Sequence, residues 1–330
     1  MIKNVTVAGS GVLGSQIAFQ IAFKGFNVTV YDINDDVLAK AKTKMIGLED
    51  TYQQEIAKNQ QQFTDSAKGV KYNSNLLPHL NDSINALINK SIETAKTTPS
   101  RISYQADLAN AVSNADLVIE AIPEREDIKQ NFYEKLARVA PKKAIFTTNS
   151  STLVPSQFAE YTGRPDRFLA MHFANEIWIN NTAEVMGHAG TDPAVFNEII
   201  QFAKDIGMLA IPVRKEQPGY ILNSVLVPFL DAAEMLYLDG VGDPELIDKT
   251  WMKATGAPAG PFGILDIVGI TTAYNIILNY AATTGNEKFT QLGDLLKTQM
   301  IDQGKLGVAT GEGFYKYPNP AYKDANFLDE

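Results

Sequence analysis

The residues that most constrain this chain are Gly9-Ser10-Gly11-Val12-Leu13-Gly14, a GxGxxG run. It lies between a β-branched stretch, IKNVTVA at 2–8, and a helical pattern with apolar residues at Val12, Ile17, Ala18, Ile21 and Ala22. Alone the glycine spacing is weak evidence; at a strand-to-helix turn it is specific. One glycine permits the tight turn, another lets backbone approach a pyrophosphate, and the third lets helix pack on strand. The helix N-terminus then offers N–H groups and a partial positive charge to phosphates. Gly25 ends the helix and NVTVY at 27–31 reads as a second strand, which makes one βαβ unit and calls for a parallel sheet. Asp32 stands at the end of that strand, 18 residues beyond Gly14. A carboxylate there accepts hydrogen bonds from ribose hydroxyls and repels a 2′-phosphate, so the expected cofactor is NAD rather than NADP. The plainer alternative is a glycine turn followed by a solvated aspartate.

Beyond this unit, residues 36–98 are polar and mostly helical in pattern, too long for a plain crossover. They read as a helical hairpin inserted in the sheet domain, with Pro78 between its helices. Strand-like runs follow at 102–104, 117–122, 144–149, 167–173, 182–186 and 209–213, with a capped helix from Asp192 to Gly207. After Arg214 the character changes: KEQPG reads as a linker, and helical patterns occupy 219–239, 243–254, 264–282 and 287–302. The expected architecture is an α/β Rossmann-type domain over 1–214 carrying the insert, then an all-α domain over 215–330.

The chain's 330 residues suffice to bury a core without cross-links, and a net charge of -9 argues against nucleic acid or an anionic membrane as partner. The absence of cysteine excludes disulfides, thiolate metal sites and cysteine nucleophiles, and fits a cytoplasmic protein. No metal is expected. The most apolar late stretch, 219–238, is interrupted by Asn223, Ser224, Pro228, Asp231 and Glu234, and reads as a buried helix rather than a membrane span.

A dehydrogenase needs a group to take the hydroxyl proton while the nicotinamide takes the hydride, and histidine suits that task near neutral pH. The chain has three histidines: His79, His172 and His188. His172 lies near the C-terminal end of an apolar strand pattern, where ligands gather in open α/β sheets. His79 falls in the polar insert and His188 in a loop. Glu184 lies twelve residues after His172 on the next strand, where a strand–loop–strand connection can bring the two together. Spacing alone leaves each histidine open to a structural role and Glu184 to an exposed one.

With these residues in view, the sequence resembles the 3-hydroxyacyl-CoA dehydrogenases over nearly its whole length. The resemblance is carried by VAGSGVLGSQIA (7–18), VYDINDDVLAKAK (30–42), IEAIPE (119–124), TTNSSTL (147–153), MHFAN (171–175), AEVMG (183–187), QPGYILNSVLVPFL (217–230), GAPAGPFGILDIVGI (256–270) and TGEGFYKY (310–317). It implies that His172 is the catalytic histidine and Glu184 its carboxylate partner. It also implies that Ser151 and Asn223 hold the substrate oxygen, and that Glu124, Lys129, Asn149 and Asn175 line the cofactor. A homodimer formed through the helical domain is implied too.

Two departures bear on the substrate. The family's HFFNP stretch is His172-Phe173-Ala174-Asn175-Glu176-Ile177-Trp178 here, which is expected to add a charge and bulk near the active site. The insert holds Lys40, Lys42, Lys44, Lys58, Lys68 and Lys71, yet Glu55 falls where a CoA-binding lysine is expected. The leading expectation is NAD-dependent interconversion of a short-chain 3-hydroxyacyl-CoA and its 3-ketoacyl-CoA. The alternatives are a dehydrogenase of a non-CoA hydroxy acid (carnitine-, gulonate- or hydroxy-fatty-acid-like) and a non-catalytic NAD-binding sensor.

Overall fold

The computed structural model describes residues 1–64 and 84–329, and they divide into two compact units, Met1–Ile221 and Leu222–Glu330. Pro78, His79, Lys68 and Lys71 lie outside the described residues.

The first unit is built on an eight-stranded sheet of order β3-β2-β1-β4-β5-β6-β7-β8. The strands are β1 (Asn4–Ala8), β2 (Asn27–Tyr31), β3 (Ile102–Gln105), β4 (Leu117–Glu120), β5 (Ile145–Thr148), β6 (Phe168–Phe173), β7 (Thr182–Met186) and β8 (Leu209–Val213). Strands β1 to β6 are mutually parallel; β7 turns back antiparallel to β6, and β8 pairs parallel with β7. The glycine turn leads into α1 (Val12–Phe23). Between β2 and β3 the insert forms α2 (Asp35–Thr64) and α3 (Ile84–Thr97).

Side chains along a strand alternate between faces, and that alternation assigns them to two separate cores. Val5, Val7, Leu117, Ile119, Leu169, Met171 and Phe173 pack in one layer with Phe19 of α1, Tyr52 of α2 and Ile199 of α6 (Pro193–Asp205). Ala8, Val118, Phe146 and Phe168 pack on the other side, with Val112 of α4 (Leu108–Val112) and Tyr133 and Leu136 of α5 (Glu126–Val139). Neither α4 nor α5 was expected from the sequence pattern. The polar first turn of α5, Glu126-Asp127, conceals an apolar face at Phe132, Tyr133 and Leu136.

The boundary falls after Ile221 rather than at Arg214, because residues 215–221 return to the sheet. Gln217 N–H reaches the Met186 sulfur, and Tyr220 joins a small core with Ala170, Met186 and Val213. Trp178, expected to add bulk near the active site, is instead buried in the first core, its ring 6.0 Å from that of Tyr52. Glu176 is exposed and takes a left-handed conformation (φ 57°), with its N–H donated to Gln16 Oε1 at 2.9 Å.

The second unit comprises α7 (Leu222–Leu238), α8 (Pro244–Thr255), α9 (Pro261–Val268), α10 (Ile270–Thr284) and α11 (Glu287–Gln299), closed by a turn-rich tail. The single helix expected over 264–282 is two helices bent by 99°. Gly269 at φ 94° makes the break, a conformation that costs glycine little. Asp266, in the last turn of α9, anchors the tail by accepting from Phe314 N and Tyr315 N, each at 2.8 Å. No single helix among the described residues is long and apolar enough to cross a membrane.

On α7, Glu234 is buried, and its Oε1 has no partner among the described residues. Burial, reinforced by Asp231, pushes its carboxyl up from 4.5 to about 8. The unfolded chain ionises this group from its ordinary pKa, whereas the fold holds the proton until about pH 8. Stability is therefore lost as pH rises through that window, by on the order of 3–5 kcal/mol. Glu234→Gln is expected to stabilise the chain against urea at pH 8.5 and to leave it unchanged near pH 4. An equal effect at both pH values would contradict the buried neutral carboxyl.

Candidate active site

The glycine turn at the C-terminal end of β1 is held by contacts that only glycine tolerates. Gly9 has φ 103°, and a Cβ there would lie 2.3 Å from the Ala121 carbonyl oxygen. A Cβ on Gly14 would lie 2.1 Å from the Gly9 carbonyl oxygen. At Gly11 a Cβ would meet nothing within 4 Å, so open space lies over the turn. Gly11 caps α1 without any side-chain hydrogen bond, and Val12 is exposed, which leaves the helix N-terminus open to an anion. These features fit a dinucleotide pyrophosphate. A cavity of about 210 Å³ runs from Gly11–Gly14 past Glu120–Ile122 and Glu124 to Lys129, Asn149 and Ser151. It thus gathers Gly11, Val12, Leu13, Gly14, Glu124, Lys129, Asn149 and Ser151 at one place.

Asp32 also braces the turn. Its Oδ2 accepts from Ser10 N at 2.7 Å and Ser10 Oγ at 2.6 Å, and its Oδ1 accepts from Ile33 N. Lys44 of α2 donates to the Ser10 carbonyl at 2.9 Å and so helps to hold the turn.

His172 and Glu184 stand directly opposite one another in the antiparallel β6–β7 register. Their neighbours Met171, Phe173, Ala183 and Val185 fill the first core, so alternation sends both side chains to the other face. There His172 Nδ1 lies 3.0 Å from Glu184 Oε2, with both residues buried. The other carboxylate oxygen of Glu184 accepts from Ile221 N at 2.8 Å. The Tyr220 ring stacks on the imidazole with centroids 4.6 Å apart and planes at 21°. That position requires left-handed backbone at both Gly219 (φ 79°) and Tyr220 (φ 55°). Burial and the surrounding carboxylates, Glu124 foremost, push the Tyr220 phenol far above its ordinary range, so it stays protonated. A carboxylate at Nδ1 favours the tautomer with the proton there, leaving Nε2 as the basic nitrogen.

The turn after β5 holds the remaining candidates of this unit. Asn149 Oδ1 accepts from Phe173 N at 3.0 Å, which ties the turn to the strand end beside His172. Ser151 N donates to Glu124 Oε1 at 3.1 Å. Burial raises the Glu124 carboxyl, but the Lys129 charge and hydrogen bonds from Ser150 and Thr152 outweigh it and hold the pKa below its ordinary value. Asn175 is exposed beyond β6, its carbonyl accepting from Asn180. Asn223 lies on the first turn of α7, in the second unit. His188 packs in its loop, with Nε2 3.0 Å from the Pro165 carbonyl and Nδ1 accepting from Gly190 N.

Residues 4–217 match the family model described as 3-hydroxyacyl-CoA dehydrogenase, NAD binding domain, and residues 219–317 match the C-terminal domain of the same family. The chain belongs to the 3-hydroxyacyl-CoA dehydrogenase family. As such it is an NAD-dependent oxidoreductase, with the Rossmann-type sheet domain followed by the helical domain. It is 32% identical to the mitochondrial hydroxyacyl-coenzyme A dehydrogenase of Rattus norvegicus, over 96% of this chain and 92% of the relative. It is 30% identical to a probable 3-hydroxybutyryl-CoA dehydrogenase of Bacillus subtilis, over 96% of this chain and 98% of the relative. Among solved structures, a diketoreductase described as catalysing dicarbonyl compounds is 51% identical, with a TM-score of 0.81, covering 96% of this chain and 99% of that one.

Sequence reasoning passed over Glu120 and Tyr220. Glu120 carried a signal, as a lone carboxylate in the apolar run LVIEAI; Tyr220 carried none, because its place depends on the backbone of Gly219 and Tyr220.

Replacing Asp32 with alanine removes both the carboxylate and its hold on Ser10. The expected result is weaker NAD binding and a smaller preference for NAD over NADP, read from the two dissociation constants. An unchanged ratio would remove Asp32 from the cofactor assignment.

Proposed function

We propose that this chain interconverts a short-chain 3-hydroxyacyl-CoA and its 3-ketoacyl-CoA, with His172 as general acid/base. The observation that carries the reading is the buried His172–Glu184 pair, 3.0 Å apart at the strand ends where the cofactor turn also lies. Bound at the glycine turn, NAD would supply the hydride acceptor for oxidation at C3 and, as NADH, the hydride donor for reduction. His172 Nε2 takes the hydroxyl proton in oxidation and gives it back to the developing alkoxide in reduction. Glu184 stabilises the imidazolium formed in between, and its bond to Ile221 N keeps the carboxylate aimed. Tyr220 fixes the plane of the imidazole by stacking. Ser151 holds the substrate oxygen, and Asn223 is the residue that the family pattern assigns to the same oxygen. Asp32, the glycine turn, Glu124, Lys129, Asn149 and Asn175 serve the NAD site in this reading.

A second reading, reduction of free dicarbonyl compounds, is favoured by two observations. The 51% identical diketoreductase acts on dicarbonyl compounds. In addition, three of the described insert lysines, though exposed, each give a contact to the protein itself. Lys44 binds the Ser10 carbonyl, Lys58 pairs with Glu55, and Lys42 lies over the Tyr104 ring at 5.1 Å.

NADH oxidation with acetoacetyl-CoA, free acetoacetate and a diketo ester separates the readings. Turnover of the thioester alone supports the first, turnover of the diketo ester alone the second, and turnover of none contradicts both. On the accepted substrate, His172→Ala is expected to lower kcat by roughly 10²–10⁴-fold while NADH binding stays intact. Full turnover in that variant would remove His172 from the mechanism.

A further inference from the structure

The wall of the cofactor cavity contains a charge cluster whose centre, Glu120, has no role in the proposed chemistry. Glu120 ends β4, in the centre of the sheet, and is fully buried. Its Oε1 accepts from Lys129 Nζ at 2.7 Å and Ile122 N at 2.9 Å. Its Oε2 accepts from Lys129 Nζ at 2.8 Å, Tyr133 Oη at 2.9 Å and Thr148 Oγ1 at 2.8 Å. Lys129, 1% exposed, also lies 3.2 Å from Glu124 Oε2. Two of these contacts are hydrogen bonds to Glu120 and the third is an ion pair with Glu124, so one ammonium ties the two carboxylates together. Lys129 borders the cavity and reaches the turn through Glu124.

Glu124 in turn holds the turn that carries Ser151. Its Oε1 accepts from Ser150 Oγ, Ser151 N at 3.1 Å, Thr152 N at 3.2 Å and Thr152 Oγ1 at 3.0 Å. Glu120 reaches the start of the same turn directly: its side chain takes the Thr148 hydroxyl and its carbonyl accepts from Asn149 N at 2.8 Å. A buried ion pair contributes little net stability compared with apolar side chains of similar size, because both charges lose their hydration. Its value here lies in direction: five hydrogen bonds from four groups converge on one carboxylate and fix where the next carboxylate stands.

We propose that Glu120 is a positioning residue for Ser151, acting through Lys129 and Glu124 to set the 148–152 turn. This rests on the reading that Ser151 holds the substrate oxygen. Displacing a substrate-holding group by about an ångström costs on the order of 10²-fold in rate without removing any reacting group. The cluster carries two carboxylates against one ammonium, so removing Glu120 leaves Lys129 held by Glu124 alone and free to pull it off the turn.

The test is a double-mutant cycle on the full-length protein between Glu120→Gln and Ser151→Ala, with the dicarbonyl substrate that the wild type accepts. Glu120→Gln is expected to lower kcat roughly 10–100-fold, with the NADH dissociation constant, read by fluorescence, moving less than about threefold. In the Ser151→Ala background the same change should cost less than about threefold in kcat, because both act through one hydroxyl. Glu124→Gln, which keeps the Glu120–Lys129 pair, repeats the cycle should Glu120→Gln fail to fold, and should show the same non-additivity. Equal losses in both backgrounds, or a kcat unaffected by Glu120→Gln, would overturn the positioning role. Full activity in Ser151→Ala alone would overturn it by a different route, by removing Ser151 from the proposed chemistry.

Discussion

The reversal of β7 against β6 is the constraint on which the site depends. In a wholly parallel sheet, residues twelve apart in consecutive strands would be separated by a crossover. Here the chain turns back, and the antiparallel register puts Glu184 directly opposite His172. Pleat alternation then directs both side chains away from the first core. One carboxylate oxygen meets the imidazole and the other takes the Ile221 N–H. That second bond recruits the 215–221 segment to the sheet, where Tyr220 covers the imidazole face. A single carboxylate thus orients the histidine and anchors the end of the first unit.

The same economy governs the cofactor cavity. Buried carboxylates are costly unless their lone pairs are filled. The buried Glu120 fills its own with Ile122 N, Tyr133 Oη, Thr148 Oγ1 and Lys129, and the more exposed Glu124 accepts from the turn after β5 and shares the Lys129 charge. Polar groups that would otherwise weaken the core therefore become its most directional contacts. Glu234 shows the other outcome. One of its oxygens has no partner among the described residues, and burial together with Asp231 keeps its carboxyl protonated up to about pH 8.

Much of this was legible in the sequence because it rests on local patterning. The β1–turn–α1 unit, Asp32, the strands flanking His172 and Glu184, and the capped helix after Asp192 all follow from alternation, glycine placement and capping. Where the sequence was silent, the determinants are long-range. The α5 helix hides its apolar face behind a charged first turn, and Gly269 breaks what reads as one continuous apolar helix. The Trp178 ring belongs to a core completed by Tyr52, more than a hundred residues away in the chain. The partners of Lys129 and Lys44, Glu120 and Glu124 for one and the Ser10 carbonyl for the other, are evident only in the folded chain.

The central claim is that Glu184 holds His172 in the tautomer that leaves Nε2 basic. Nitrogen-15 NMR of the imidazole, with His172 assigned by its loss in His172→Ala, reads this directly. The account predicts that in the neutral ring Nδ1 carries the proton and Nε2 does not, and that Glu184→Gln weakens that preference. A proton found on Nε2 in the wild type, or a tautomer indifferent to Glu184→Gln, would contradict it.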